Sequence, residues 1–278
     1  MQIDALLEEY ISKLPDSTVK EAMHYSLSAG GKRIRPNLLY AVLKGYGVDT
    51  TVGDPFSCAL EMIHTYSLIH DDLPAMDNDN LRRGKLTCHK QFDEATAILA
   101  GDGLLTYAFQ VAASSQQDAV IVQECISILS GMAGPAGMVY GQQLDIEAEN
   151  QNIDWKQLQQ IHQHKTGCLL TAPLMMGALL AKHQEDLPKW EKIGYALGLA
   201  FQIQDDVLDV ELTAKEFGKS NSDIKNHKGT SVSLLGIQAA KDMMNKLYQQ
   251  VMDDLGAIDG FLSESLVEYI HRIQIRRK

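Results

Sequence analysis

An all-α fold, a single helical domain, is the class the sequence predicts. Apolar residues recur at helical spacing through most of the 278 residues, Ala, Leu, Met, Gln and Glu are plentiful, and β-branched runs are few. Turn and breaker residues fall between the periodic stretches rather than inside a β pattern. With 45% hydrophobic and 22% charged residues the composition is that of an ordinary globular chain, and without a linker, repeat or low-complexity run it reads as one domain, 1–278.

The elements follow in order. Residues 4–14 and 18–28 read as short helices split by Pro15-Asp-Ser17, with Ser17 an N-cap. Gly30-Gly31 breaks the pattern, and Pro36 suits the first turn of a helix to Gly45. Gly53-Asp-Pro55 opens a helix that runs into aspartates and ends at Leu73-Pro74, because proline lacks a donor and crowds the preceding turn. Helices follow at 93–113 and 117–148. Another runs from 155, capped by Asp154, past Thr171 with a kink at Pro173. A helix over 188–212, a polar loop over 213–228, and helices over 230–255 and 262–275 complete the chain.

Several function classes are excluded. A net charge of −11 argues against nucleic-acid binding, which wants a basic surface. Cys58, Cys88, Cys125 and Cys168 form no CxxC pair, so zinc and redox motifs are not expected and reduced cytoplasmic thiols are. The N-terminus is acidic and amphipathic, unlike a signal peptide, and the apolar stretch 169–181 is too short to span a bilayer. A cytoplasmic protein without membrane insertion is expected.

The chemistry concentrates in two acidic clusters and a basic one. Asp71, Asp72 and Asp77 close one apolar helix, with Asp79, Arg82 and Arg83 just beyond. Asp205, Asp206 and Asp209 lie in another, and Asp205 and Asp209, four apart, share a face. Like charges at that spacing repel, so a cation is needed twice. Oxygen-only donors with no soft ligand nearby suit Mg²⁺ shared with phosphate. Asp71 and Asp77, six apart, are about 120° off-face on a helix, so the backbone must leave α geometry between Leu73 and Asp77 for them to converge. His64, seven before Asp71, lies on nearly its face. Gly30-Gly-Lys-Arg-Ile-Arg-Pro36 offers glycine backbone, three cations and a helix start, a combination suited to a diphosphate.

Taken together these stretches resemble the trans-isoprenyl diphosphate synthases over nearly the whole chain, the bacterial farnesyl diphosphate type most of all. The resemblance is carried by Ser-Leu-Ile-His-Asp-Asp-Leu-Pro-Ala-Met-Asp (67–77), Leu-Arg-Arg-Gly (81–84), Ala-Ile-Leu-Ala-Gly-Asp (97–102), Lys165-Thr-Gly167, Phe-Gln-Ile-Gln-Asp-Asp-Val-Leu-Asp (201–209), Gly218-Lys219, Ser222-Asp-Ile224 and Lys228. It implies an all-α, single-domain helical bundle around a deep central cavity, a homodimer, and condensation of dimethylallyl and geranyl diphosphates with isopentenyl diphosphate to farnesyl diphosphate. It implies that Asp71, Asp72, Asp77, Asp205, Asp206 and Asp209 hold Mg²⁺ on the allylic diphosphate. Arg82, Lys165, Lys219 and Lys228 would neutralise that diphosphate, with Thr166 and Gln202 near the reacting carbon. Lys32, Arg35, His64 and Arg83 would bind isopentenyl diphosphate, and Tyr66 would be the floor that limits the product to C15.

Three departures stand out. Tyr140-Gly-Gln-Gln-Leu-Asp145 carries tyrosine where the family has glycine. Gly229-Thr-Ser231 lacks the family's aromatic, and the C-terminus after Tyr269-Ile270 is longer than usual. A geranylgeranyl diphosphate synthase is the alternative product class. A terpene cyclase would not need the site around Lys32 and Arg35, and a regulatory subunit on the same fold would be expected to have lost one acidic cluster.

Overall fold

A computed structural model describes residues 2–215 and 229–276. Their regular structure is helical apart from one hairpin of two-residue strands, in line with the all-α expectation. The chain divides into two compact units, Met1–Tyr40 with Val48–Ser127, and Ala41–Gly47 with Ile128–Lys278.

The first unit contains α1 (Gln2–Ser12), α2 (Thr18–Leu27) and the start of α3 (Ile34–Gly45), then α4 (Asp54–Asp71). The hairpin β1 (Leu81–Arg82) and β2 (Lys85–Leu86), α5 (Cys88–Gln91), α6 (Glu94–Ala113) and the start of α7 (Ala119–Ala133) follow. Ser17 caps α2 by accepting from the Lys20 amide at 3.1 Å, and Pro55 occupies the first turn of α4. Helix α4 is the core: Phe56, Cys58, Ala59, Leu60, Met62 and Ile63 are wholly buried, and α6 is its main neighbour. A helix apolar on nearly all sides can only be an interior one. Each large side chain so buried contributes at most about 1.5–3 kcal/mol against the extended chain.

The second unit holds the end of α7, then α8 (Met138–Glu147), α9 (Trp155–His162), a π-turn over Gln163–Gly167, α10 (Cys168–Leu180) and α11 (Leu187–Lys215). It closes with α12 (Ser231–Leu235), α13 (Ile237–Gly256) and α14 (Glu264–Gln274). Three expectations need correction. The single helix expected over 117–148 is two, because Gly134-Pro-Ala-Gly137 interrupts it; a side chain at Gly137 would meet the Met132 carbonyl oxygen at 2.1 Å. The helix expected over 230–255 is broken at Gly236, whose φ is +81°. The irregularity expected at Pro173 falls instead at the π-turn, and α10 continues through the proline, buried at all but one position.

Helices α10 and α11 meet through glycine. A Cβ on Gly194 would lie 2.5 Å from the Thr171 hydroxyl, and one on Gly198 the same distance from the Gly167 Cα. Gly194, Gly198 and Gln202 are spaced by four, so one face of α11 lies tight on the π-turn and delivers Gln202 to it. All four cysteines are buried free thiols. Among the described residues the stretch Ala119–Glu147, rather than 169–181, is long and apolar enough by composition to cross a membrane, counted across the break at 134–137.

Candidate active site

In the first unit α4 ends at Asp71, and the backbone departs from α-helix through Asp77, as the six-residue spacing required. The Asp77 amide donates to the Asp71 carbonyl at 2.9 Å, so the two aspartates are drawn together by the turn that Pro74 starts. Asp72 goes elsewhere. It is 3% exposed, and Arg82 donates from Nε to both its carboxylate oxygens, at 2.8 and 2.9 Å. A second guanidinium nitrogen lies 2.6 Å away. Burial works against the Arg82 charge, but the Asp72 carboxylate holds its pKa above the ordinary value. Tyr66 is buried one turn before the cluster, edge-on to His70 at 5.7 Å. Its hydroxyl is pushed up to about 12 by burial and then by the Asp71 charge.

The basic residues of this unit sort into two groups. Arg33 is not one of three ligand-seeking cations. It is buried, donates to Glu61 at 2.6 Å, Asp4 at 2.9 Å and the Leu27 carbonyl at 2.7 Å, and so ties α1, α2 and α4 together. Arg35, Arg83 and His64 form the other group. Burial brings Arg35 down to about 10, with Arg83 adding to the fall, and its Nε is enclosed without a hydrogen-bond partner. Arg83 is lowered by burial and by Arg33 and Arg82. His64 is held well below its usual value by burial, then by Arg35 and Arg83, and is therefore neutral. Crowded cations with an unsatisfied donor are what an anion relieves.

The hairpin turn separates the two neighbouring arginines. Arg83 and Gly84 both have positive φ, the pattern of a tight I′-type turn. Arg82 thereby reaches Asp72, whereas Arg83 donates to the Gly30 carbonyl and lies where a Cβ on Gly31 would sit, 2.7 Å away. Lys32 is exposed beside them.

In the second unit the π-turn carries Lys165 and Thr166. Thr166 donates its hydroxyl to the Gln202 side-chain oxygen at 2.5 Å, so these two predicted residues meet. Lys165 pairs with Asp145 at 2.7 Å. Helix α8 braces the turn: a Cβ on Gly141 would lie 2.0 Å from the Lys165 amide nitrogen. The close approach is thus made by Gly141, while Tyr140 is 43% exposed and stands edge-on to His164 at 5.0 Å.

Asp205 and Asp209 share one face of α11, and Asp206 is turned away from it. Asp206 accepts from the Ser231 amide at 2.7 Å and lies 3.7 Å from His162, which anchors the start of α12. Asp209 is exposed, and Asp205 is paired with Arg276. Oxygen-only donors at Asp71 and Asp77, and at Asp205 and Asp209, suit a hard divalent cation such as Mg²⁺, and all four belong to the predicted set. Among the described residues, three metal-capable groups within 4.8 Å of one another occur at His183, Glu185 and Asp186, where no motif lies. Asp186 is there already bonded to Tyr46 and Lys189.

The sequence reading missed Asp145 and Arg276 as partners of predicted residues. Asp145 stands in a motif already noted, whereas nothing local singles Arg276 out among the terminal basic residues. Lys219 and Lys228 lie outside the described residues.

The fold is that of the isoprenyl synthases. A geranyltransferase of Helicobacter pylori, solved in complex with magnesium and isoprenyl diphosphate, superposes with a TM-score of 0.82 at 35% identity, covering 96% of this chain and 92% of that one. The chain belongs to the polyprenyl synthetase family, whose profile matches residues 16–264. It is 47% identical over 271 residues to a farnesyl diphosphate synthase of Micrococcus luteus, covering 96% of this chain and 92% of the relative. It is 42% identical to the farnesyl diphosphate synthase of Escherichia coli over 97% and 94% of the two chains.

Proposed function

We propose that the chain is a Mg²⁺-dependent prenyltransferase that joins dimethylallyl and then geranyl diphosphate head to tail with isopentenyl diphosphate, giving farnesyl diphosphate. The observation that carries this reading is identity of 47% over 96% of the chain to a farnesyl diphosphate synthase, with both aspartate clusters and the Lys32–Arg35 segment intact. Bound Mg²⁺ supplies positive charge where the departing diphosphate gathers negative charge.

Asp71, Asp72 and Asp77, with Asp205, Asp206 and Asp209, would hold the ions; Asp72 also accepts from Arg82, and Asp206 from the Ser231 amide. Arg82, Lys165, Lys219 and Lys228 neutralise the allylic diphosphate, and Thr166 with Gln202 lies near the reacting carbon. Arg35, Arg83, Lys32 and neutral His64 receive the diphosphate of isopentenyl diphosphate, a reading supported by the enclosed Arg35 Nε, which has no hydrogen-bond partner. Tyr66, buried one turn before Asp71, closes off the growing chain at C15. The proton released after condensation goes to the departed diphosphate, the base that membership of this family implies.

We further propose that the whole chain acts as one catalytic domain and works as a cytoplasmic homodimer. Exposed Ile98 and Leu99 of α6 and Val120 of α7 are apolar surface that a second copy would cover. The test is product identification after incubating the purified protein with Mg²⁺, isopentenyl diphosphate and each allylic diphosphate. A C15 product is expected. No product from any primer overturns the synthase reading, and mainly C20 replaces it with geranylgeranyl diphosphate synthesis and removes Tyr66 as the floor.

A further inference from the structure

The last helix of the chain is docked on α11 beside the carboxylate assigned above to Mg²⁺. Gln204 is buried and donates its side-chain amide to the carbonyls of Ile273 at 3.2 Å and Gln274 at 2.8 Å. These are among the carbonyls that a helix C-terminus leaves without partners inside the helix. Tyr248 in α13 donates its hydroxyl to the Gln204 oxygen at 2.6 Å and so fixes which way the amide faces. The end of α14 is therefore held by a buried side chain that carries no charge and has no part in binding an ion.

Two residues past Gln274 the chain sends Arg276 back over α11. Its guanidinium lies 3.8 Å above the centre of the Phe201 ring, and the side chain is only 9% exposed. One terminal nitrogen reaches the Phe201 carbonyl at 3.4 Å and also bonds the Asp205 carboxylate. Phe201, Gln204 and Asp205 fall on adjoining positions of α11, so one stretch of helix supplies the ring, the anchor and the anion.

We propose that Arg276 competes with the divalent cation for the Asp205 carboxylate, so that the C-terminal segment is a tethered counter-cation setting the metal affinity of α11. The inference rests on the reading of Asp205 as a Mg²⁺ ligand. A guanidinium bonded to a carboxylate oxygen takes a lone pair that the ion needs, and two cations at one carboxylate repel. The ion must displace Arg276, while Gln204 and Tyr248 keep α14 seated, so the displaced arginine stays close and returns when the ion leaves. Closeness matters, because a tethered competitor acts at a fixed, high effective concentration. A charge-assisted hydrogen bond to a carboxylate that is 40% exposed is worth roughly a 3- to 10-fold weakening of metal binding.

The test is titration of the full chain with Mn²⁺ in the absence of diphosphate, with free Mn²⁺ counted by electron paramagnetic resonance. Arg276→Gln is expected to lower the dissociation constant of one site about 3- to 10-fold. Asp205→Asn should weaken that site and abolish the gain from Arg276→Gln in the double variant. If Asp205→Asn leaves Mn²⁺ binding unchanged, the reading of Asp205 as a ligand fails. If Asp205→Asn weakens it but Arg276→Gln binds no more tightly than wild type, that reading stands and the competition is overturned. A measurement on the unaltered side chain covers the case of a variant that does not fold. The Arg276 Nε–H resonance of the wild-type protein should move on addition of Mg²⁺, and a resonance that stays put through saturation overturns the proposal.

Discussion

Arg82→Ala is the substitution whose cost the structure allows to be worked out. Asp72 is 3% exposed, and all its close cationic contacts come from one guanidinium, at 2.6, 2.8 and 2.9 Å. Among the described residues, removing Arg82 leaves a buried carboxylate with no other ion-pair partner, since the other arginine of the pair is turned to the Gly30 carbonyl. Breaking a buried ion pair from one side costs about 3–5 kcal/mol. Arg82 itself is 32% exposed, so water reaches part of the vacated space and the lower end, about 3 kcal/mol, applies. In a chain of this size roughly 2 °C of melting temperature is lost per kcal/mol, giving a fall of about 6 °C. Calorimetry of Arg82→Ala, Asp72→Asn and the double variant checks this. The double variant should recover most of what Arg82→Ala loses, because the uncompensated charge is gone. A loss below about 1 kcal/mol, or no recovery in the double variant, would refute the buried-pair account.

Three further predictions follow from the glycine contact and the basic group. Gly141→Ala forces a Cβ to within 2.0 Å of the Lys165 amide nitrogen, so the π-turn must move. Overpacking of about 1–3 kcal/mol outweighs the roughly 0.5–1 kcal/mol gained in helix propensity, and kcat falls because Lys165 and Thr166 ride on the turn. Melting temperature and kcat both at wild-type values would contradict it. His64 is neutral beside Arg35 and Arg83, and an anion placed among them raises its pKa. Pyrophosphate binding near pH 6 should therefore take up a proton, seen as buffer-dependent heats in titration calorimetry that His64→Gln removes; equal heats in all buffers would sink this. The same depressed pKa means the folded state binds fewer protons than the unfolded chain, so the His64 contribution erodes stability as pH falls below about 6.5. His64→Gln should flatten that acid-side loss.

What the sequence made legible, and what it did not, follows the range of the interaction. Pro55 and Pro74 bracket α4 to within a few residues because proline acts through its own backbone. The six-residue gap between Asp71 and Asp77 foretold the departure from helix for the same local reason, and the Asp77-to-Asp71 hydrogen bond is its result. The run over 117–148 reads as one helix because its apolar period carries across Gly134–Gly137, where in the fold two glycines and a proline outweigh periodicity. The π-turn had no local signal: it depends on Gly141 and Gly198, each far away in sequence, allowing backbone to lie against it. Spacing likewise could not separate Arg33, which faces Asp4 and Glu61, from Arg35, which faces His64 and Arg83. Arg276 reaches Asp205 across 71 positions, and its sequence neighbours are also basic.

The central claim is that the carboxylates at the end of α4 carry metal for the ionisation of an allylic diphosphate. Steady-state formation of farnesyl diphosphate from geranyl and isopentenyl diphosphates in Mg²⁺, measured for Asp71→Ala beside its melting temperature, tests it most directly. Turnover should fall about 10²- to 10³-fold, the scale for losing an element of transition-state charge stabilisation. The melting temperature should hold or rise, because repulsion within the aspartate cluster is relieved. Wild-type turnover in Asp71→Ala would contradict the account.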